Sequence, residues 1–146
     1  MNRILLVATL FLSTAAAGCR TGRDIQVAFE MSPLANNDTP IAVDLVRVKD
    51  PELLHLLTML SASDWFAKRG EIRQRYSGAS EISTWSWELV PGKAVHHQTV
   101  AVKGDGYNCL IFANYASSGA HRLNLGPCKS FSLHLGQSDA GITFPD

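Results

Sequence analysis

The residues that could do chemistry are a histidine pair, two acids in helical sequence and three cysteines. His96 and His97 are neighbours in a predicted strand, so their rings would point to opposite faces and make a poor chelate for a metal ion. Asp64 and Glu71 lie among basic residues, where surface charges are expected rather than paired catalytic acids. The chain has no esterase, zinc-protease or phosphate-loop motif. We therefore expect no catalytic residue, no metal and no cofactor in a protein that is not an enzyme.

Trp85 and Trp87 share one face of another predicted strand. Exposed rings could line a sugar-binding face, whereas buried rings would pack beneath neighbouring helices. Because aromatic side chains bury a large apolar area, packing under the helices is the use that we expect.

The start of the chain has the layout of a secretory signal peptide. Arg3 precedes residues 4–12, which are apolar apart from Thr9. A permanent membrane-spanning helix needs about 20 apolar residues, so this run fits a cleaved signal better.

Small residues directly before Cys19 resemble the lipobox of bacterial lipoproteins. The resemblance of Ala16, Ala17 and Gly18 to that motif implies cleavage before Cys19 and acylation of its thiol. Ordinary secretion is the alternative, and it would leave the thiol open to oxidation. Arg20, in the next position, resembles sorting signals for the outer membrane. Because several acyl chains anchor a protein permanently in effect, we expect a lipid-anchored outer-membrane protein that faces the periplasm.

Cys109 and Cys128 remain as an even pair in an oxidising compartment. Both lie in predicted strands that flank a turn-like segment, residues 116–120. If that turn closes a hairpin, Cys109 falls opposite about position 127, which makes a bridge to Cys128 geometrically plausible. Two buried free thiols are the alternative, and the disulfide is our prediction.

Charge and length restrict the class of protein. The 146 residues carry 13 basic and 13 acidic side chains, so no basic excess favours a nucleic-acid partner. We expect a signal peptide over residues 1–18, a lipidated tether over 19–24 and one domain over 25–146.

Apolar residues alternate with polar ones through six or seven short segments of that domain, a pattern typical of half-buried strands. Asp50, followed by Pro51, is a helix start, and helical periodicity continues to about residue 76. Residues 104–106 read as a hairpin turn. The fold class predicted is mainly β, a two-layer antiparallel β-sandwich with a helical insertion at about 50–76.

Residues 32–40 are a loop rich in Asn, Asp and Pro between the first two strands. Loops often carry binding residues, so this one is a candidate contact surface. A solvated connection without a partner is equally consistent with the sequence.

These features in order resemble the outer-membrane lipoproteins of type VI secretion systems, the TssJ or SciN family. The resemblance rests on the lipobox, the Asn36-Asn37-Asp38 loop, the strand after it, the helical insertion and the segments 88–93 and 107–115. It implies a transthyretin-like β-sandwich. It also implies that the loop between the first two strands binds TssM, an inner-membrane component with a periplasmic domain. Carried over by position, the partner-binding residues are Asn36, Asn37, Asp38 and Thr39.

Two other functions remain open at the level of sequence. One is a pilotin-type lipoprotein that escorts a secretin. The other is a periplasmic ligand-binding or enzymatic lipoprotein that uses Trp85 or Trp87.

Overall fold

The alternating segments form strands of two packed sheets. The computed structural model describes residues 22–77, 82–93 and 97–145. In those residues the elements are β1 (Gly22–Met31), β2 (Ile41–Val48), α1 (Pro51–Met59), α2 (Ala62–Arg75), β3 (Ile82–Leu89), β4 (Gln98–Lys103), β5 (Asn108–Ala113), β6 (Arg122–Pro127), β7 (Phe131–Leu135) and β8 (Ala140–Thr143).

The sheets have the strand orders β4-β1-β7-β8 and β3-β2-β5-β6, which confirms the predicted β-sandwich. One pairing differs from the antiparallel expectation, because β1 and β7 run parallel. β7 reaches its sheet by a crossover from β6 in the other sheet, not by a hairpin from a neighbouring strand, so its direction is free to match β1. β8 was not predicted as a strand.

The first strand and one predicted turn also differ from the expectation. β1 begins at Gly22, three residues before the predicted start of the domain. Residues 104–106 do not close a hairpin, since β4 and β5 belong to different sheets. The segment still needs its glycines, because Gly104 and Gly106 have φ of 81° and 78°.

Apolar side chains on both faces of β2 and β5 fill two separate cores. Val43, Leu45 and Ile111 are buried between the sheets. Val46 and Phe112 face the opposite way and are covered by the helices. Apolar residues occur at both odd and even positions of β2 because this strand is buried on both faces.

The helical insertion is confirmed as two capped helices. The Asp50 carboxylate accepts from the Leu53 backbone N–H at 2.7 Å, with Pro51 in the first turn. The second helix begins after Ser61, which forms a capping box with Asp64.

A buried acid fixes α2 to the sheet. Asp44 of β2 accepts hydrogen bonds from Trp65 Nε1 and Arg69 Nη1, each at 2.8 Å. The Trp65 ring stacks on Phe112 with 5.0 Å between centroids. The helices are thus held by a charge-assisted bond as well as by apolar packing.

Trp85 and Trp87 do not lie under the helices, which corrects the expectation from sequence. Their partners in β2 are Leu45 and Val43, which belong to the core between the sheets. Cross-strand neighbours share a face, so the tryptophans point into the sandwich, where Trp87 meets Phe29 edge to face at 5.2 Å.

Candidate docking surface

The strand directions divide the sandwich into two ends. We call one the loop end, formed by residues 32–40, 90–93, 114–121 and 136–139. We call the other the N-terminal end, where β1 starts at Gly22 and the connections 104–107 and 128–130 lie. The predicted partner-binding loop is therefore at the opposite end from the start of the domain.

Residues 32–40 have a fixed backbone conformation. Asn36, Asn37 and Asp38 all have positive φ, between 48° and 59°. Asn and Asp tolerate this left-handed region better than other residues with a Cβ. The run of Asn and Asp thus specifies a tight turn, in which Asn37 and Asp38 donate backbone bonds to Leu34 and Ala35.

Asn36, one of the four predicted partner-binding residues, is buried in this turn and holds it together. Its side chain is only 4% exposed. Nδ2 donates to the Pro40 carbonyl at 3.1 Å, and Oδ1 accepts from the Ala116 N–H at 2.8 Å. The amide therefore joins the loop to the β5–β6 connection.

The remaining predicted contact residues, Asn37, Asp38 and Thr39, are exposed. Leu34 lies in the same loop with 58% of its surface exposed, and Val90 after β3 has 37%. Exposed apolar side chains beside polar ones are typical of protein-binding surfaces. The accessible part of the loop end thus includes both polar and apolar side chains, of which Leu34 and Val90 were not predicted from the sequence.

His121 connects two further loops at this end. It is buried, and its Nδ1 lies 2.9 Å from Asp139 Oδ1 while its Nε2 lies 2.9 Å from the Ser117 carbonyl. Its ring packs on Tyr115 with 5.0 Å between centroids. Gly119 must remain small, since a Cβ there would lie 2.8 Å from the histidine ring.

Two pKa shifts follow from these contacts. The hydrogen bond from His121 is the main cause that lowers the pKa of Asp139 below its ordinary value. Burial raises the pKa of Tyr115 to about 12, and the charge of Asp139 adds to that rise. The Tyr115 hydroxyl donates to the Asp139 carbonyl at 2.9 Å, which binds the same loop again.

Exposed acids lie in the loop end and in the last residues of the strands that lead to it. They are Glu30, Asp38, Glu88 and Asp139, and Lys93 is an exposed cation among them. Glu30 lies 2.9 Å from His134 Nδ1. The surface that a partner would meet is therefore acidic with apolar points.

Among the described residues, the side chains considered for chemistry do not form a site. His97 is exposed, and His96 lies outside the described residues. Asp64 belongs to the α2 capping box and Glu71 is an exposed neighbour of Arg75 at 3.7 Å, as expected for surface charges. In residues 22–77, 82–93 and 97–145, no group of three His, Cys, Asp or Glu side chains could hold a metal ion.

The predicted disulfide is present between Cys109 and Cys128, whose Cα atoms are 4.9 Å apart. The β5–β6 hairpin pairs Asn108 with Pro127 and places the two cysteines side by side. The bond lies near the N-terminal end and is remote from the loop-end patch.

Cys19 and the signal sequence lie outside the described residues, so acylation and the division into signal, tether and domain stay predictions. Neither described helix is long and apolar enough to cross a bilayer.

Comparison with known proteins gives no sequence-level match. No family model matches the chain, and the search of curated proteins found no match to its sequence.

Comparison of folds does give matches. The T6SS lipoprotein TssJ1 from Pseudomonas aeruginosa superposes with a TM-score of 0.61 at 15% identity, over 84% of this chain and 97% of that one. The structure of Serratia marcescens Lip, described as a membrane bound component of the Type VI Secretion System, gives a TM-score of 0.61 at 13% identity, over 83% and 97%. The chain has the TssJ fold.

A third match is to a chain in the structure titled "T6SS protein TssM C-terminal domain (869-1107) from EAEC". Its TM-score is 0.55 at 11% identity, over 85% of this chain and 98% of the matched one. The TssJ fold accounts for nearly the whole length of each matched chain, so the resemblance predicted from the sequence is confirmed at the level of fold.

Sequence reasoning missed the contacts that hold the TssJ-fold loop end in place. His121, Asp139 and Tyr115 are far apart in sequence from the Asn-rich loop and match no motif. The only sequence signal for these contacts is that His121 and Asp139 lie next to apolar segments. Asp139 directly precedes β8, which was not predicted as a strand.

Proposed function

We propose that this protein is an outer-membrane lipoprotein of a type VI secretion system. In this proposal a lipid on Cys19 anchors it, and its loop end binds the periplasmic part of a TssM-type inner-membrane protein. The protein thereby helps to assemble an envelope-spanning complex and has no enzymatic role. The TssJ fold over almost the full length of two such lipoproteins supports this class of function.

The observation that carries the docking proposal is the pre-formed loop over residues 32–40. Its backbone turn is closed by Asn36, while Leu34, Asn37 and Asp38 remain exposed. A surface that is already ordered loses little conformational entropy on binding, so less of the free energy gained from its contacts is offset.

The position of the chain start supports the same proposal. β1 has 10 residues and leads from Gly22 to the loop end, a distance of roughly 30 Å at about 3.3 Å per residue. A lipid on Cys19 would therefore hold the N-terminal end near the membrane. The loop end would then be directed away from the bilayer, where an inner-membrane partner could reach it.

The structure gives little support to the ligand-binding alternative. Trp85 and Trp87 point into the core between the sheets and are not available as an open sugar platform. No specific contact in the described residues favours the pilotin alternative. A secretin C-terminal peptide serves as the alternative ligand in the binding test below.

The docking proposal is tested with Leu34→Asp combined with Val90→Asp. The probe is the periplasmic domain of the TssM-type protein from the same organism, measured by isothermal titration calorimetry. We expect at least about tenfold weaker binding, because charges replace two apolar contacts at the interface.

Leu56→Asp is the matched control, because Leu56 on α1 is 44% exposed and lies outside the loop end. Its affinity for the probe should equal that of the parent. A double variant that binds like the parent would exclude the loop end, and binding of a secretin C-terminal peptide alone would replace the proposal with the pilotin function.

The anchoring proposal has a separate test. Cys19→Ala should leave the protein unprocessed or release it to the soluble periplasmic fraction. Normal processing with unchanged recovery in the outer-membrane fraction would contradict acylation of Cys19.

A further inference from the structure

The N-terminal end carries exposed cations that the docking surface does not use. They come from four separate elements or connections and are brought to one end by the strand register: Arg23, Lys49, Lys103 and Lys129. Arg23 has a structural contact, since its Nη2 donates to the Cys128 carbonyl. The three lysines are the more available group.

Two aromatic rings accompany these lysines. The Lys129 ammonium lies 3.6 Å from the ring centroid of Phe144, which is 39% exposed, and the Lys49 ammonium lies 5.7 Å from that of Tyr107. Flexible lysines next to aromatic rings are typical of the water–membrane interface, where ammonium groups reach phosphates and rings lie at headgroup depth.

The charge at this end has the sign that an anionic lipid surface requires. Asp24, Glu52 and Asp105 are exposed at the same end, and Asp50 is engaged as the cap of α1. The four exposed cations, Arg23 included, therefore exceed these three exposed acids by one. Basic clusters of this kind are attracted to anionic headgroups within about one Debye length, roughly 10 Å at 0.1 M salt.

We propose that the N-terminal end rests on an anionic phospholipid surface through Lys49, Lys103 and Lys129. Two features favour a lipid surface as the binding partner of this end. One is its charge, and the other is that the chain leads from Gly22 back to Cys19, the proposed site of acylation. The inference rests on the proposed lipid anchor, which brings this end to the bilayer. A tethered domain needs only a weak contact, because the anchor makes its local concentration high. The contact fixes the domain upright and directs the loop end towards its partner.

The experiment uses the mature chain, residues 19–146, with Cys19→Ser so that no acyl chain contributes. Its partition is measured by flotation with vesicles of phosphatidylethanolamine and phosphatidylglycerol, and with vesicles of phosphatidylcholine. We expect binding to the anionic vesicles at low salt, little binding to the neutral ones, and loss of binding near 1 M salt, where screening acts within about 3 Å.

The variant Lys49→Gln, Lys103→Gln, Lys129→Gln tests the cluster. Each lysine removed should lower the partition coefficient about fivefold, the factor expected for one basic residue at a membrane surface. The matched control is Lys68→Gln, Arg73→Gln, Lys93→Gln, which removes the same charge from exposed positions outside the cluster and should keep most of the binding. Thermal melts establish whether both triple variants are folded. If the lysine-cluster variant is unfolded, single-lysine variants are measured in its place.

Three results would overturn the inference: equal partition into neutral vesicles, no partition of the parent, or equal losses in the two triple variants. The lysine-cluster variant should still bind the TssM-type domain like the parent. Vesicle binding in these variants tests this inference alone. Partner binding in the Leu34→Asp, Val90→Asp variant tests the proposed function separately.

Discussion

The two ends of the sandwich are built in different ways. At the loop end, side chains of Asn36, Tyr115 and His121 join three connections by hydrogen bonds. At the N-terminal end, one disulfide and Arg47, which donates to the Lys103 carbonyl at 2.6 Å, hold the connections, and lysines project from them. Under the proposals above, the ordered loop end presents specific contacts to a protein partner. The N-terminal end needs only its charge to meet a fluid bilayer.

The comparison predicts that damage at the two ends has different consequences. Replacing both Cys109 and Cys128 by alanine should lower the free energy of unfolding by about 3 kcal/mol, because the unfolded chain loses a cross-link over a separation of 19 residues. Urea denaturation measures this change. Affinity for the TssM-type domain should be unchanged, and a parallel loss of affinity would contradict the separation of the two ends.

Asn36→Ala should have the next largest effect on stability. It removes two hydrogen bonds, leaves the Ala116 N–H without its side-chain acceptor and places alanine at a positive φ. We expect a loss of about 2 kcal/mol in urea denaturation, together with weaker partner binding.

Asn37→Ala provides the comparison for Asn36, because Asn37 also has a positive φ but is exposed. It should cost about 1 kcal/mol, mainly from the backbone conformation. Equal losses in the two variants would show that the buried amide does not hold the loop.

Acidic pH should loosen the loop end by a smaller amount. The pKa of Asp139 is lowered in the folded protein, so its ionised form favours folding, and this stabilisation is present above the ordinary carboxyl range near pH ~4. It is lost as pH falls through the lowered value. Since the carboxylate is largely exposed, the change should be less than about 1 kcal/mol.

Unfolding midpoints of the parent and of Asp139→Asn, measured between pH values of about 2 and 6, test this assignment. The parent should lose stability more steeply on acidification than the variant does. His121→Gln should resemble Asp139→Asn, since either change removes the bond between an ionised carboxylate and the imidazole. Parallel pH profiles for parent and both variants would contradict a role for this pair.

The sequence predicted those parts of the fold that depend on local patterns. Asp50 and Pro51 mark a helix start by capping chemistry, and the turn at residues 116–120 places Cys109 near Cys128 by hairpin register. Each of these signals involves residues that are close along the chain or in one hairpin.

The parts that the sequence did not predict depend on contacts between distant segments. The parallel pairing of β1 with β7 and the sheet change after Lys103 follow from how the two layers pack. The Asn-rich loop was recognised, but sequence alone could not distinguish buried Asn36 from exposed Asn37. That distinction comes from the Ala116 N–H, which the fold brings to the Asn36 side chain.

Hydrogen exchange of the full mature protein, with and without the TssM-type periplasmic domain, tests the central claim most directly. The account predicts added protection in residues 32–39 and 90–93, with no change in residues 103–108 or 128–131. Protection confined to the N-terminal end or to α1 and α2, with the loop end unchanged, would contradict it.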